Sequence, residues 1–177
     1  MRSKSISKQR GTFVLEFAIM GFVLCLLFAF GADIVTKMSY KGKLDRLSYS
    51  LVNVLKERTQ LYEKEVYDVT SAEANSITRI AKSSLTRMAG NAASSKVGVV
   101  VESLTFSDIG EPGEHRTYGS GCEIGGGDLE DLSVVTTWDR QASVYRVTVC
   151  YDTPNIFGSL LGQNYSEVSS SSVMLGR

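Results

Sequence analysis

Residues 12–32, TFVLEFAIMGFVLCLLFAFGA, form an apolar run broken by a single charge, Glu16. Wound as a helix, these residues span about 31 Å, close to the hydrocarbon thickness of a bilayer. A helix of a globular core would show a polar face, and residues 17–32 have none. Arg2, Lys4, Lys8 and Arg10 precede the run without an acidic residue, and Asp33 follows it. By the positive-inside rule this places the N-terminus in the cytoplasm and everything after residue 33 outside. In a bacterium the chain is then a single-pass inner-membrane protein with its C-terminal part in the periplasm.

Beyond the run, Ile34, Met38, Leu44, Leu47, Leu51, Leu55 and Tyr62 recur mostly at steps of three, four or their sums. That period predicts a helical extension over 33–66, continuous with the span and reaching about 80 Å in all. Lys41, Lys43, Asp45, Arg46, Lys56, Glu57 and Arg58 fill the other face, while Gly42 and Asn53 are weak points. Thr70 with Glu73 fits a capping box opening a second helix. Its apolar stripe is Ile77, Ile80, Ala81, Leu85 and Met88, with Gly90 at its end.

From residue 97 the period changes to two. Strands are predicted over 97–106, 133–138, 142–151 and 165–175, with 107–131 as a glycine-rich loop. The fold class is therefore α+β: a long N-terminal helix as spine, a second helix and a small antiparallel sheet packed on the spine by one face. The chain divides into a basic leader (1–11), a membrane helix (12–32), its extension (33–66) and an α+β head (67–177).

Charge and composition narrow the chemistry. The 177 residues hold 19 Lys plus Arg against 19 Asp plus Glu, a balance that argues against a nucleic-acid binder working by bulk charge. One His and three Cys are too few for an ordinary zinc site. Gly125-Gly126-Gly127 lacks the Lys-Ser or Lys-Thr of a phosphate loop, and Ser120 between glycines lacks a nucleophile elbow. His115 sits in a polar stretch beside Glu114, and the acids around it lack EF-hand spacing. Neither a cofactor, a metal nor an enzymatic activity is expected. Cys25 falls inside the membrane run. Export into an oxidising compartment favours a Cys122–Cys150 disulfide, with two free buried thiols as the other reading. Closing a loop of that length stabilises by about 3.6 kcal/mol on the chain-entropy estimate.

Glu16 remains to be explained, since a carboxylate in a span costs up to about 2.5–3.5 kcal/mol. It is the fifth residue after Gly11, which ends the basic leader. Gly11 followed by Thr12-Phe13-Val14-Leu15-Glu16-Phe17 resembles the processing signal of type IV prepilins and pseudopilins. The resemblance implies that a prepilin peptidase cuts between Gly11 and Thr12. It also implies that Glu16 pairs with the new N-terminal ammonium of a neighbouring subunit. Thr12 departs from the Phe or Met frequent in type IVa pilins; the Glu16-Phe17 pair resembles the tight-adherence (Tad/Flp) branch. Tyr118-Gly119-Ser120-Gly121-Cys122, Tyr145–Tyr151 and Pro154-Asn155-Ile156-Phe157 are similar to the C-terminal region of TadF minor pilins. What the resemblance implies is a subunit for assembly of an adhesive pilus. Its partners would be the peptidase, other pilins or pseudopilins (TadE-like), an inner-membrane assembly platform and membrane lipid. Alternatives are a type II secretion pseudopilin, a signal-anchored periplasmic binding domain, or a secreted protein cut after Gly31.

Overall fold

A computed structural model describes residues 10–57, 68–90, 95–160 and 162–176. Helix α1 runs without interruption from Arg10 to Lys56, about 70 Å. It joins the apolar run to the head with no hinge, and Lys56 in its last turn offsets the negative end of the helix dipole. The expected continuation over 58–66, and the leader residues 1–9, lie outside the described residues.

Helix α2, Ser71–Ala89, opens with the expected capping box. The Thr70 amide donates to Glu73 Oε2 at 2.8 Å and the Glu73 amide to Thr70 Oγ1 at 3.4 Å. Gly90 at its end has φ +88°, a value that only glycine adopts without strain. Ala74, Ile77, Ala81 and Leu85 form the buried stripe. Ile80 and Met88, expected in that stripe, are largely exposed.

The sheet has four antiparallel strands in the order β2-β1-β3-β4. They are β1 (Val97–Asp108), β2 (Glu111–Ser120), β3 (Val144–Asp152) and β4 (Glu167–Leu175). A helical turn, α3 (Ile156–Leu160), joins β3 to β4. Two expectations need correction. Glu111–Ser120 is not loop but the edge strand β2, hairpinned on β1. Its sequence, EPGEHRTYGS, gives no apolar alternation because both of its faces are mostly exposed. Pro and Gly are tolerated there because an edge strand need not donate on its outer side. Conversely, 133–138 is not a strand; it makes only an isolated bridge, Val135 to Gln141. Both sides of β3 are already occupied by β1 and β4, so the Val134-Val135 pair cannot form a hairpin ladder with it.

Alternation along the central strands sorts the core. Val99, Val101, Tyr145, Val147, Val149 and Tyr151 face the helices, meeting Leu44, Leu47, Leu51, Val52 and Leu55 of α1 and the stripe of α2. The opposite face is covered by the segment between β2 and β3, which lays Leu129 against Leu104 and Val144. On that face Glu102 and Arg146 sit directly across from each other, both nearly fully buried, with Nη1 3.5 Å from Oε2. Arg146 also donates to the Gly127 carbonyl. The glycine run thus lies over a buried guanidinium.

Breaking a buried pair leaves one charge without its counter-ion. Arg146→Met is therefore expected to destabilise the head by about 3–5 kcal/mol, with Glu102→Gln added to it recovering part of the loss. Chemical denaturation of the detergent-solubilised chain, followed by circular dichroism, measures both.

Candidate functional site

The candidate site is α1 itself. Its residues Thr12–Met20 are all exposed in the isolated chain, including Phe13, Phe17 and Met20 at about 70%. Thr12, Glu16 and Met20 recur every fourth residue and so share one face. Phe13 and Phe17 stack one turn apart at 6.5 Å. Among the described residues no cationic side chain pairs with Glu16. Gly11 belongs to the same first turns of helix. The structure thus sets Thr12, Glu16 and Phe17 on one exposed stretch of α1, with Gly11 in the same helix, and places the Cys122–Cys150 pair in the head.

At the end of the apolar run the character of α1 changes within two turns. Asp33 is buried, and Lys37 Nζ donates to its Oδ2 at 2.6 Å. Phe30 packs on Phe157 of α3 with ring centroids 4.8 Å apart, and Tyr40 stacks on Tyr151 of β3 at 4.7 Å.

From there upward, α1 is seated on β4 by small hydroxyls. Lys41 Nζ donates to the Ser169 carbonyl at 2.7 Å. Ser170 Oγ donates to Asp45 Oδ1 at 2.6 Å, and Ser48 Oγ lies 3.1 Å from Ser170 Oγ and 2.8 Å from Ser172 Oγ. Serines allow the helix to approach the strand closely while their hydroxyls satisfy one another in a buried seam. The run Ser169–Ser172 carried no visible signal of this in the sequence. Read in register, every second serine faces the helix.

Burial by itself would raise the Asp45 carboxyl, but the Ser170 hydroxyl and the Lys41 ammonium outweigh it and hold its pKa below the ordinary value. Glu114 is also held down, by the hydrogen bond from Arg116. Tyr151 is pushed up by burial and by its neighbour Tyr40.

Cys122 and Cys150 form a disulfide with Cα atoms 5.6 Å apart, so the first loop after β2 is tied to the end of β3 nearest α3. Gly98 makes room for it: a Cβ there would come within 2.6 Å of Cys150 Sγ and 2.5 Å of the Gly121 carbonyl oxygen. Cys25 is a free, exposed thiol on α1.

An exposed apolar helix thus emerges from a disulfide-tied α+β head. The family model described as "Putative tight adherence pilin protein F" (TadF) matches residues 4–177. The chain belongs to the TadF family. No curated protein and no solved structure matches it. Membership gives this TadF chain a Tad-type pilin-like role, that of a structural subunit, and implies contact with other pilus subunits. The long apolar helix fits a single-pass membrane anchor.

Two measurements probe the head of this TadF protein. Cys122→Ser with Cys150→Ser is expected to lower stability by about 2–5 kcal/mol, read from denaturation midpoints with and without reductant. The lowered Asp45 pKa means that its contribution is full above the unfolded carboxyl value near 3.9 and is lost as pH falls through the folded value. Stability should therefore drop as pH falls below about 5 and on through the lowered folded value. Ser170→Ala should make that drop shallower, as a pH series of thermal melts would show.

Proposed function

We propose that this TadF protein is a minor pilin or pseudopilin that serves assembly of an adhesive Tad/Flp-type pilus. It is inserted in the inner membrane by residues 12–32, with the head in the periplasm. A prepilin peptidase trims it between Gly11 and Thr12. The shortened chain then joins neighbouring pilin subunits, TadE-like ones among them, at an inner-membrane assembly platform.

The observation that carries this reading is Glu16 on the exposed apolar half of a helix whose other half is built into the head. A lone carboxylate in hydrocarbon is unfavourable, and one paired with an ammonium is tolerated. Trimming after Gly11 creates such an ammonium at Thr12, one helical turn from Glu16 and about 6 Å along the axis. Two parallel helices offset by that rise place the amine of one beside the acid of the next. Gly11 suits the cut because a residue without Cβ lets an enzyme approach its backbone closely. Phe17, beside Glu16, adds apolar contact at the same level. Trimming also removes Arg2, Lys4, Lys8 and Arg10 from a chain with 19 cationic and 19 anionic side chains. The mature subunit is left mildly acidic, with no attraction for nucleic acid.

Mass spectrometry of the protein recovered from membranes tests the cut directly: the mature chain should begin at Thr12. Gly11→Glu should leave the leader attached, and normal trimming of that variant would refute the peptidase assignment. Glu16→Leu makes the span more apolar, so insertion should persist while recovery of the protein with its partner subunits falls. Undiminished assembly of Glu16→Leu would remove the pairing role.

A further inference from the structure

The connection between β3 and β4 is unusual in this head for its lack of charge. Residues 153–166, TPNIFGSLLGQNYS, include no Asp, Glu, Lys or Arg. A loop facing water has no reason to hold Ile156, Phe157, Leu160 and Tyr165. Yet Ile156 is 56% exposed, Leu160 65% and Tyr165 57%.

The loop is also built rather than slack. The Thr153 amide donates to the Ser166 carbonyl at 2.8 Å and the Gln163 amide to the Gly158 carbonyl at 2.9 Å. Asn155 Nδ2 donates to the Gln163 carbonyl at 2.8 Å. Gly158 is required by this closure, since a Cβ there would meet the Gln163 oxygen at 2.7 Å. These bonds pair part of the loop's backbone internally, which lowers the cost of moving it out of water.

Its position decides what covers it. Phe157 packs on Phe30, and Phe30 lies two residues, about 3 Å, inside the end of the apolar run. If that run spans the bilayer, α3 is held against the helix at the level where hydrocarbon meets headgroups. Exposed aliphatic and aromatic side chains at that depth favour insertion. Asp152, Glu123 and Glu167 line one open hollow beside the loop together with Asn164, and these acids must stay in water. They limit the depth to the interface.

We propose that α3 and the loop around it form a second membrane contact, in which Ile156, Leu160 and Tyr165 insert into the outer boundary of the bilayer that α1 crosses. The partner is lipid, and the contact rests on the reading of 12–32 as a span. Two points of attachment, a span and an interfacial turn, fix the tilt of the whole molecule in the bilayer, where a span alone would leave it free to tilt and to rotate about the axis of α1.

Tryptophan fluorescence in vesicles tests this. Trp138 is the sole tryptophan and lies at the other end of the sheet, beside Ser143 and Gly176. In full-length protein carrying Trp138→Phe, one probe at a time is introduced as Phe22→Trp, Ile156→Trp or Leu160→Trp. Each is reconstituted into phosphatidylcholine vesicles with lipids brominated at shallow or deep acyl positions. The Phe22 probe should be quenched by deep bromines, which reports the span itself. The probes at 156 and 160 should emit at shorter wavelength than a tryptophan free in water and lose intensity to shallow bromines more than to deep ones. Quenching at 22 with none at 156 or 160, and full access of acrylamide to both, overturns the interfacial contact and leaves the span intact. Protection from acrylamide without bromine quenching, growing with protein density, means that another subunit covers the loop and equally overturns it. No quenching at 22 overturns the span on which the contact rests.

Discussion

One helix must satisfy two solvents. The lower part of α1 exposes Phe13, Leu15, Phe17, Met20, Phe22 and Phe28 at about 60–70%, far more apolar surface than a water-soluble monomer presents. Its upper part is buried by Leu44, Leu51 and Val52 in the head's core. No other arrangement of the chain would allow both, because the apolar run needs lipid or neighbouring apolar helices while the sheet needs this same helix to cover its inner face. The head therefore cannot fold as an independent unit that merely trails a tether. Its core includes the extension of its own anchor.

Several features follow from that constraint. The seat on β4 is made of serines because the helix must lie close to an edge strand without leaving polar atoms unsatisfied. Asp45 and Lys41 finish the seam at its solvent side, where an ion pair between half-exposed groups adds little but costs little. The second face of the sheet has no helix left to cover it. A long segment takes that task, pinned at one end by the Cys122–Cys150 disulfide and in the middle by Leu129 and the Gly127–Arg146 hydrogen bond. The disulfide thus stabilises a covering made of loop, which has few backbone hydrogen bonds of its own.

What the sequence disclosed and what it hid divide along physical lines. The long apolar helix, its period through Leu55, the capping box at Thr70 and the β-branched strands were legible, because each is set by local pattern or by burial on a single face. The edge strand Glu111–Ser120 was not, since its pairing comes from backbone alone and its side chains report only water. The strand expected at 133–138 misled for the opposite reason: β-branched residues signalled a ladder that the occupied edges of β3 cannot supply. The buried Glu102–Arg146 pair was likewise invisible, as each residue alone looks like a solvated charge, and only strand register sets them opposite. Within α1, Glu16 stands out in the sequence because a charge inside an apolar run is conspicuous, while Gly11, Thr12 and Phe17 are singled out by the resemblance to a processing signal. The hydroxyl seam does not stand out, because four successive serines resemble a linker until a helix is laid on them.

Continuity of α1 gives these separate features a common consequence. Gly21, Gly31 and Gly42 lie within the helix, and a Cβ at any of them would meet nothing within 4 Å. None is needed for packing inside the chain, and none breaks the helix. A displacement of the Glu16 end, by pairing with a neighbour or by a change in depth, is therefore carried along the helix axis into the seam at Ser48 and the stacking of Tyr40 on Tyr151. A hinged anchor would absorb such a displacement in its linker. The apolar end and the head share one unbroken helix, so if Glu16 pairs with a neighbour as proposed, that pairing also bears on which surface of the sheet faces the next subunit.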